Sequence, residues 1–173
     1  PASISGRVQG PIEGFGRALG LGGYGVRAGR VSFTGTAQRG AKGWIFAANG
    51  QLSANAVSTN ALAVQQTYLN LVSSGQLTNQ NQLAGRLRLT GRATSAQQDN
   101  VAAAAGFNGL QLDGDASFGG TVSTIQLAGK LIAGVDRGRF KDVAVTAAKE
   151  IAQFSGRVSG PQMRLSGTNI LQI

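Results

Sequence analysis

Seven acidic side chains, sixteen Lys and Arg, and no His or Cys are what this 173-residue chain offers for chemistry. Without His there is no imidazole base and no ordinary zinc site; without Cys there is no thiolate nucleophile, disulfide framework or iron–sulfur cluster. The two glutamates, Glu13 and Glu150, stand far apart in the sequence, so a paired-carboxylate hydrolase would need the fold to join them. Asp113-Gly114-Asp115 could lend oxygens to calcium, but no third carboxylate nearby completes a cage. Gly20-Leu21-Gly22-Gly23-Tyr24-Gly25 matches the spacing of a dinucleotide fingerprint, yet strand-like sequence follows it and no acidic residue stands about twenty positions on to hold a ribose. It reads as a loop. The expectation is a chain that is not an enzyme and carries no metal and no cofactor.

The cations carry more information. The formal net charge is +9, and Arg7, Arg30, Arg86, Arg88, Arg92 and Arg157 all fall on polar positions of alternating segments. A positive surface of this kind attracts nucleic acid or anionic headgroups, or simply solvates a face and keeps strand edges from pairing. Sheets that bind nucleic acid add stacking aromatics. The few aromatics here lie mostly in apolar rows, so nucleic acid is not an expected partner.

The elements that position these residues show a period of two, which sends alternate side chains to opposite faces of a strand. Leu83, Gly85, Leu87, Leu89, Gly91 and Ala93 alternate with Gln82, Ala84, Arg86, Arg88, Arg92 and Thr94. The same pattern runs through Ala2 to Gln9, Arg30 to Thr36, Trp44 to Ala56, Leu110 to Phe118, Ile125 to Ala133 and Ala152 to Val158. One apolar face and one wet face belong to antiparallel sheets. Gly10-Pro11, Gly22-Gly23, Asn49-Gly50, Asn108-Gly109, Gly119-Gly120 and Gly160-Pro161 read as turns, with Asn49-Gly50 also compatible with a strand interior. Ala61 to Ser74 favours strand over helix; Gln97 to Ala105 and Val143 to Phe154 leave both open.

Phrases recur. Ser5-Gly6-Arg7-Val8-Gln9-Gly10-Pro11 returns as Ser155-Gly156-Arg157-Val158-Ser159-Gly160-Pro161, and Ala28-Gly29-Arg30-Val31 as Ala84-Gly85-Arg86-Leu87 and Ala128-Gly129-Lys130-Leu131. Their spacing is uneven, so this is a reused strand unit and not a fixed-period solenoid. Gly6, Gly85, Gly91, Gly114, Gly129, Gly156 and Gly167 occupy apolar rows, where they either let a sheet bend or leave room for a ligand such as an acyl chain.

The unit in Ala84-Gly85-Arg86-Leu87-Arg88-Leu89-Thr90-Gly91, in Leu110-Gln111-Leu112-Asp113-Gly114 and in Asp136-Arg137-Gly138-Arg139-Phe140-Lys141-Asp142-Val143 resembles the repetitive β-segments of the AsmA-like superfamily, the group of TamB and YdbH. That resemblance covers most of the chain through degenerate motifs. It implies a single repetitive β domain over 1–173, cut from a longer periplasmic protein of the cell envelope that is anchored at the inner membrane outside this segment. The opening at Pro1 and the apolar close at Ile170, Leu171 and Ile173 agree with a fragment. The implied fold is all-β: a mostly antiparallel, strongly curved sheet, an open groove or incomplete barrel with an apolar concave face. The implied function is non-enzymatic, in intermembrane phospholipid (lipid) transport or outer-membrane biogenesis. The resemblance makes Leu83, Leu87, Leu89, Leu110, Leu112, Phe118, Ile125, Leu127, Leu131, Phe154 and Val158 a lipid-binding row. Its partners are phospholipid acyl chains, and it admits an outer-membrane assembly protein and self-association through exposed edge strands. The alternative is a structural β-repeat of an adhesin, an autotransporter passenger or a phage fibre. A membrane β-barrel would need aromatic girdles that ten aromatics without clustering do not form.

Overall fold

Apolar and polar residues alternate over runs of 9 to 17 residues in the longer strands, and strict alternation can be satisfied only by an extended chain with one face to water. In the computed structural model, which describes residues 2–11, 25–58, 63–98, 105–140, 143–159 and 162–172, every described segment is extended. The strands are β1 (Ser3–Pro11), β2 (Gly25–Arg27), β3 (Arg30–Gly40), β4 (Gly43–Ser58), β5 (Ala63–Thr78), β6 (Gln82–Gln98), β7 (Ala105–Thr121), β8 (Thr124–Gly134), β9 (Arg137–Phe140), β10 (Val143–Thr146), β11 (Lys149–Ser159) and β12 (Gln162–Gln172). The open segments Gln97 to Ala105 and Val143 to Phe154 are strand wherever they are described, and Ala63 to Ser74 lies wholly in β5. Asn49-Gly50 is interior to β4; Asn108-Gly109 and Gly119-Gly120, expected as turns, are interior to β7. The dinucleotide-like glycines before Gly25, Glu13 and Gly160-Pro161 lie outside the described residues.

All twelve strands form one antiparallel sheet whose main path runs β1-β3-β4-β5-β6-β7-β8-β11-β12. The path is an up-and-down meander. Its tight connections are Ala41-Lys42, Asn79 to Asn81 and Val122-Ser123, and Asn81 takes the left-handed conformation with φ 60°, which Asn tolerates better than most residues.

The expected strong curvature and near-closure are not what the chain adopts. β1 and β12 end the path on opposite sides and do not pair with each other, and all substantial contacts between elements are between ladder neighbours. The sheet is open and consists of a single layer. Its accessible surface is 11862 Å², against about 7,900 Å² for a globular chain of this mass. Among the described residues only Ala54, Ala96, Ala105 and Ala116 are buried apolar side chains, because only a methyl group is small enough to disappear between neighbours in one layer.

The reason lies in the glycines of the apolar rows. At Gly85, Gly91, Gly114 and Gly129 neither a bend nor an empty slot is the main use; neighbouring side chains lie over the glycine. Phe46 reaches across Gly75 and Phe118 across Gly85, where an added Cβ would strike the rings. Gly75 and Gly85 are direct partners on β5 and β6, so rings from β4 and β7 meet above that pair with centroids 6.3 Å apart and planes 17° from parallel. Phe154 and the Ala116 methyl cover Gly129, and Leu69 covers Gly91. Large side chains that fold over glycines fill the surface laterally, a device that supports a sheet without a second layer.

A line of left-handed residues crosses the sheet. Ala28, Gln66, Gly109 and Ala147 have φ of 49°, 47°, 66° and 55°. The ladders on either side place Ala28 opposite Asn55, then Gln66, Thr94, Gly109, Asp136 and Ala147 in one transverse row. Register is the same on both sides of this row. β2 with β3, β8 with β9 and β10 with β11 are therefore halves of strands interrupted at it, whereas β4 to β7 run through. Replacement bonds cross the gap: Asp136 N–H to the Asn108 carbonyl at 3.1 Å, Ala147 N–H to the Asp136 carbonyl at 3.0 Å, and Thr94 Oγ1 to Gln66 Oε1 at 2.5 Å. Gly109 is required where it stands, since its φ is left-handed and the Asp136 carboxylate occupies the space of a side chain.

Candidate functional site

Antiparallel partners share a face, so the register assigns every row. Leu83, Ile125 and Val158 lie in one transverse row through Gly120. Phe118 pairs directly with Leu127. Leu87 and Phe154 are joined through Ala116 and Gly129, Leu89 and Leu131 through Gly114, and Leu112 and Leu110 take the next two rows towards the left-handed line. The structure brings all eleven residues named from the sequence onto one face, each half-buried. Among the described residues no other element covers them.

The face extends further than that set. Trp44, Phe46 and Leu52 on β4, Leu69, Leu71 and Leu77 on β5, and Phe33 on β3 continue the same rows. Those of β4 alternate plainly in the sequence; those of β5 were hidden because Leu62, Leu69 and Val72 also fit a helical stripe. Exposure rises at the rims, to 65% for Ile4, 53% for Val8 and 64% for Leu171. A contiguous uncovered apolar surface of this extent is more than ordinary soluble chains leave to water.

Where this face meets the left-handed line there is a depression of about 470 Å³, lined by Leu69, Phe107, Leu110, Leu112, Ala133 and Leu171 among others. Phe107 lies beyond the line and has the opposite strand parity to Leu110, yet both line the same space. The left-handed residue resets the alternation and lets apolar side chains on either side of it serve one surface. Thr67 also lines the depression, and its Oγ1 is buried without a hydrogen-bond partner. Glu150 takes the apolar row beside Ala133 and Leu171.

The opposite face is mostly polar, with Ile45 and Val72 exposed among its polar residues. Arg7, Arg30, Arg86, Arg88, Arg92 and Arg157 all stand on it and are exposed. Asp113 and Asp115 share it. Arg88 Nε is 3.9 Å from Asp113 Oδ1, and Asp115 stands between Arg88 and Lys130 in its row, so both carboxylates are arranged among cations. Arg92 lies over the Tyr68 ring at 5.4 Å, and Asn49 Nδ2 donates to Asn70 Oδ1 at 3.4 Å. Among the described residues no group of three or more acidic side chains converges as a metal cage would need, and no helix is long and apolar enough to cross a membrane. Comparison with known proteins found no matching family model, curated protein or solved structure.

Proposed function

We propose that the apolar face is a contact surface for acyl chains, in a segment that works in phospholipid transport or envelope assembly in the manner of AsmA-like proteins. One observation carries this reading: eleven aliphatic and aromatic side chains, with their neighbours on β3 to β5, form one uncovered face while the charged residues concentrate on the other. Burying such rows against hydrocarbon releases about 25 cal/mol per Å² of apolar area, and methylene chains laid across a pleated surface need no directional partner. The orphaned Thr67 hydroxyl in the depression can donate to an ester carbonyl. The surface is an open track and not a groove, so a chain is held by one wall. On this reading no residue is catalytic, the medium is the periplasm, and the reaction is transfer of an intact lipid.

The test compares the two faces. Leu87→Arg should abolish phospholipid copurifying with the intact chain, read by native mass spectrometry and lipid extraction, whereas Arg88→Ala should leave it unchanged. Equal effects of the two, or a lipid-free parent chain, would overturn the reading. A lipid-free trimer would favour the fibre or adhesin alternative.

A further inference from the structure

We propose that the polar face of the β11–β12 hairpin holds a phosphate-binding site built on Arg157 and Arg164. The two are direct antiparallel partners, and both are exposed on the face opposite the apolar rows. Like charges placed directly opposite one another destabilise a ladder. Elsewhere on this face the sequence relieves such crowding: Arg88 has Asp113 at 3.9 Å and Asp115 as its partner, and Arg92 rests on Tyr68. No acidic side chain occupies the rows of Arg157 or of its neighbour Ser155 among the described residues. The hairpin thus sets two arginine side chains on directly opposed positions of one face, and a doubly charged tetrahedral anion is the ligand that turns this repulsion into attraction. Guanidinium forks match its oxygens in bidentate fashion, which an ammonium does not.

The surroundings are those of an oxyanion site. Arg157 and Arg164 border a surface depression of about 650 Å³ that also takes in Ser117, Gln126, Ser155 and Ser166. Ser155 and Ser166 are partners with Oγ atoms 3.2 Å apart, and Ser166 Oγ reaches the Ser155 carbonyl at 3.4 Å. When Ser166 donates to that carbonyl, the Ser155 proton is free to point into the depression. Gln126 partners Arg157 from β8 and adds an amide donor. Beside them Gly119 and Ala128 keep the floor low, which leaves space for a substituent on the phosphate. The site lies on the other side of the sheet from the apolar face and depends on nothing proposed for that face.

The shared chemistry is a phosphate group, whether free, on a small ester or on a lipid headgroup, and the experiment separates these sources. Inorganic phosphate and pyrophosphate are titrated into the intact chain at low salt, with amide chemical shifts of residues 155–159 and 162–166 as readout, beside flotation with phosphatidylglycerol vesicles and with phosphatidylcholine vesicles. Saturable shifts in those residues are expected. The double variant Arg157→Gln, Arg164→Gln should weaken binding by at least about tenfold, Arg157→Lys by less, and Arg7→Gln not at all. Binding only to phosphatidylglycerol vesicles, with the same arginine dependence, would assign the phosphate to a headgroup. No binding of any probe, equal loss in Arg7→Gln, or equal flotation with phosphatidylcholine would overturn the site. The double variant removes a repulsion, so its thermal midpoint should not fall; that measurement distinguishes loss of the site from loss of the fold.

Discussion

At the scale of single residues, the glycines of the apolar rows divide by what lies above them. A Cβ on Gly85 would collide with the Phe118 ring and with the Ser74 carbonyl, whereas one on Gly6 meets nothing within 4 Å. Gly85→Val should therefore destabilise the chain by about 1–3 kcal/mol through overpacking. Gly6→Val should be within about 0.5 kcal/mol of neutral, because a valine there gains strand preference and displaces nothing. Thermal midpoints of the two variants check this directly. In a Phe118→Ala background the penalty of Gly85→Val should shrink, the coupling expected of residues in contact. If both glycines tolerate valine equally, the lateral covering of glycine by aromatic rings contributes little.

At the scale of the element, the transverse left-handed row is the feature with energetic content. A non-glycine residue held left-handed costs about 1–2 kcal/mol, and Ala147 sits there with no side-chain bond to offset it. Ala147→Gly should stabilise the chain by about 1 kcal/mol, and Gly109→Ala should destabilise it by at least as much, since Asp136 adds a collision to the strain. Denaturant midpoints read both. This row also marks how far the sequence could be read. The period of two in β1, β3, β4, β6, β7, β8 and β11 put the residues of each named apolar row on a common face, because alternation is a local property that each strand declares for itself. The turn reading at Asn108-Gly109 recognised a residue suited to a left-handed backbone, but the ladders of two neighbouring strands carry the chain straight past it. Sheet curvature was not legible at all: it is set by what fills the space above Gly75, Gly85 and Gly129, and Phe46, Phe118 and Phe154 come from other strands. That the eleven apolar positions share one face was legible because each stands in a clean run; that Leu69 and Leu71 join them was not, because β5 fits two periods.

At the scale of the whole molecule, the two edges are equivalent in kind. The main path contains nine strands, so eight antiparallel steps, an even number, separate its ends, and β1 and β12 run the same way. A second copy that pairs antiparallel and keeps the apolar face on one side must join like to like, β12 with β12 or β1 with β1, about a two-fold axis normal to the sheet. A dimer or even-numbered assembly is therefore expected in size-exclusion chromatography with light scattering, and Ile4→Lys with Leu171→Lys, both at exposed rim positions, should shift it to monomer as charged edges do. A monomer from the unaltered chain at high concentration would show that these edges are quiet.

Contact confined to ladder neighbours has one more consequence, for how such a chain gains and loses order. With no central core to complete, each hairpin stands or falls with the two beside it, so stability grows roughly in proportion to strand number and formation spreads outward from wherever the first good hairpin closes. The turns at Ala41-Lys42, Asn79 to Asn81 and Val122-Ser123 close over two or three residues, which favours early formation of those hairpins. Loss of order should begin at the outermost strands and travel inward, and hydrogen exchange should fall stepwise from β1 and β12 towards β6 and β7.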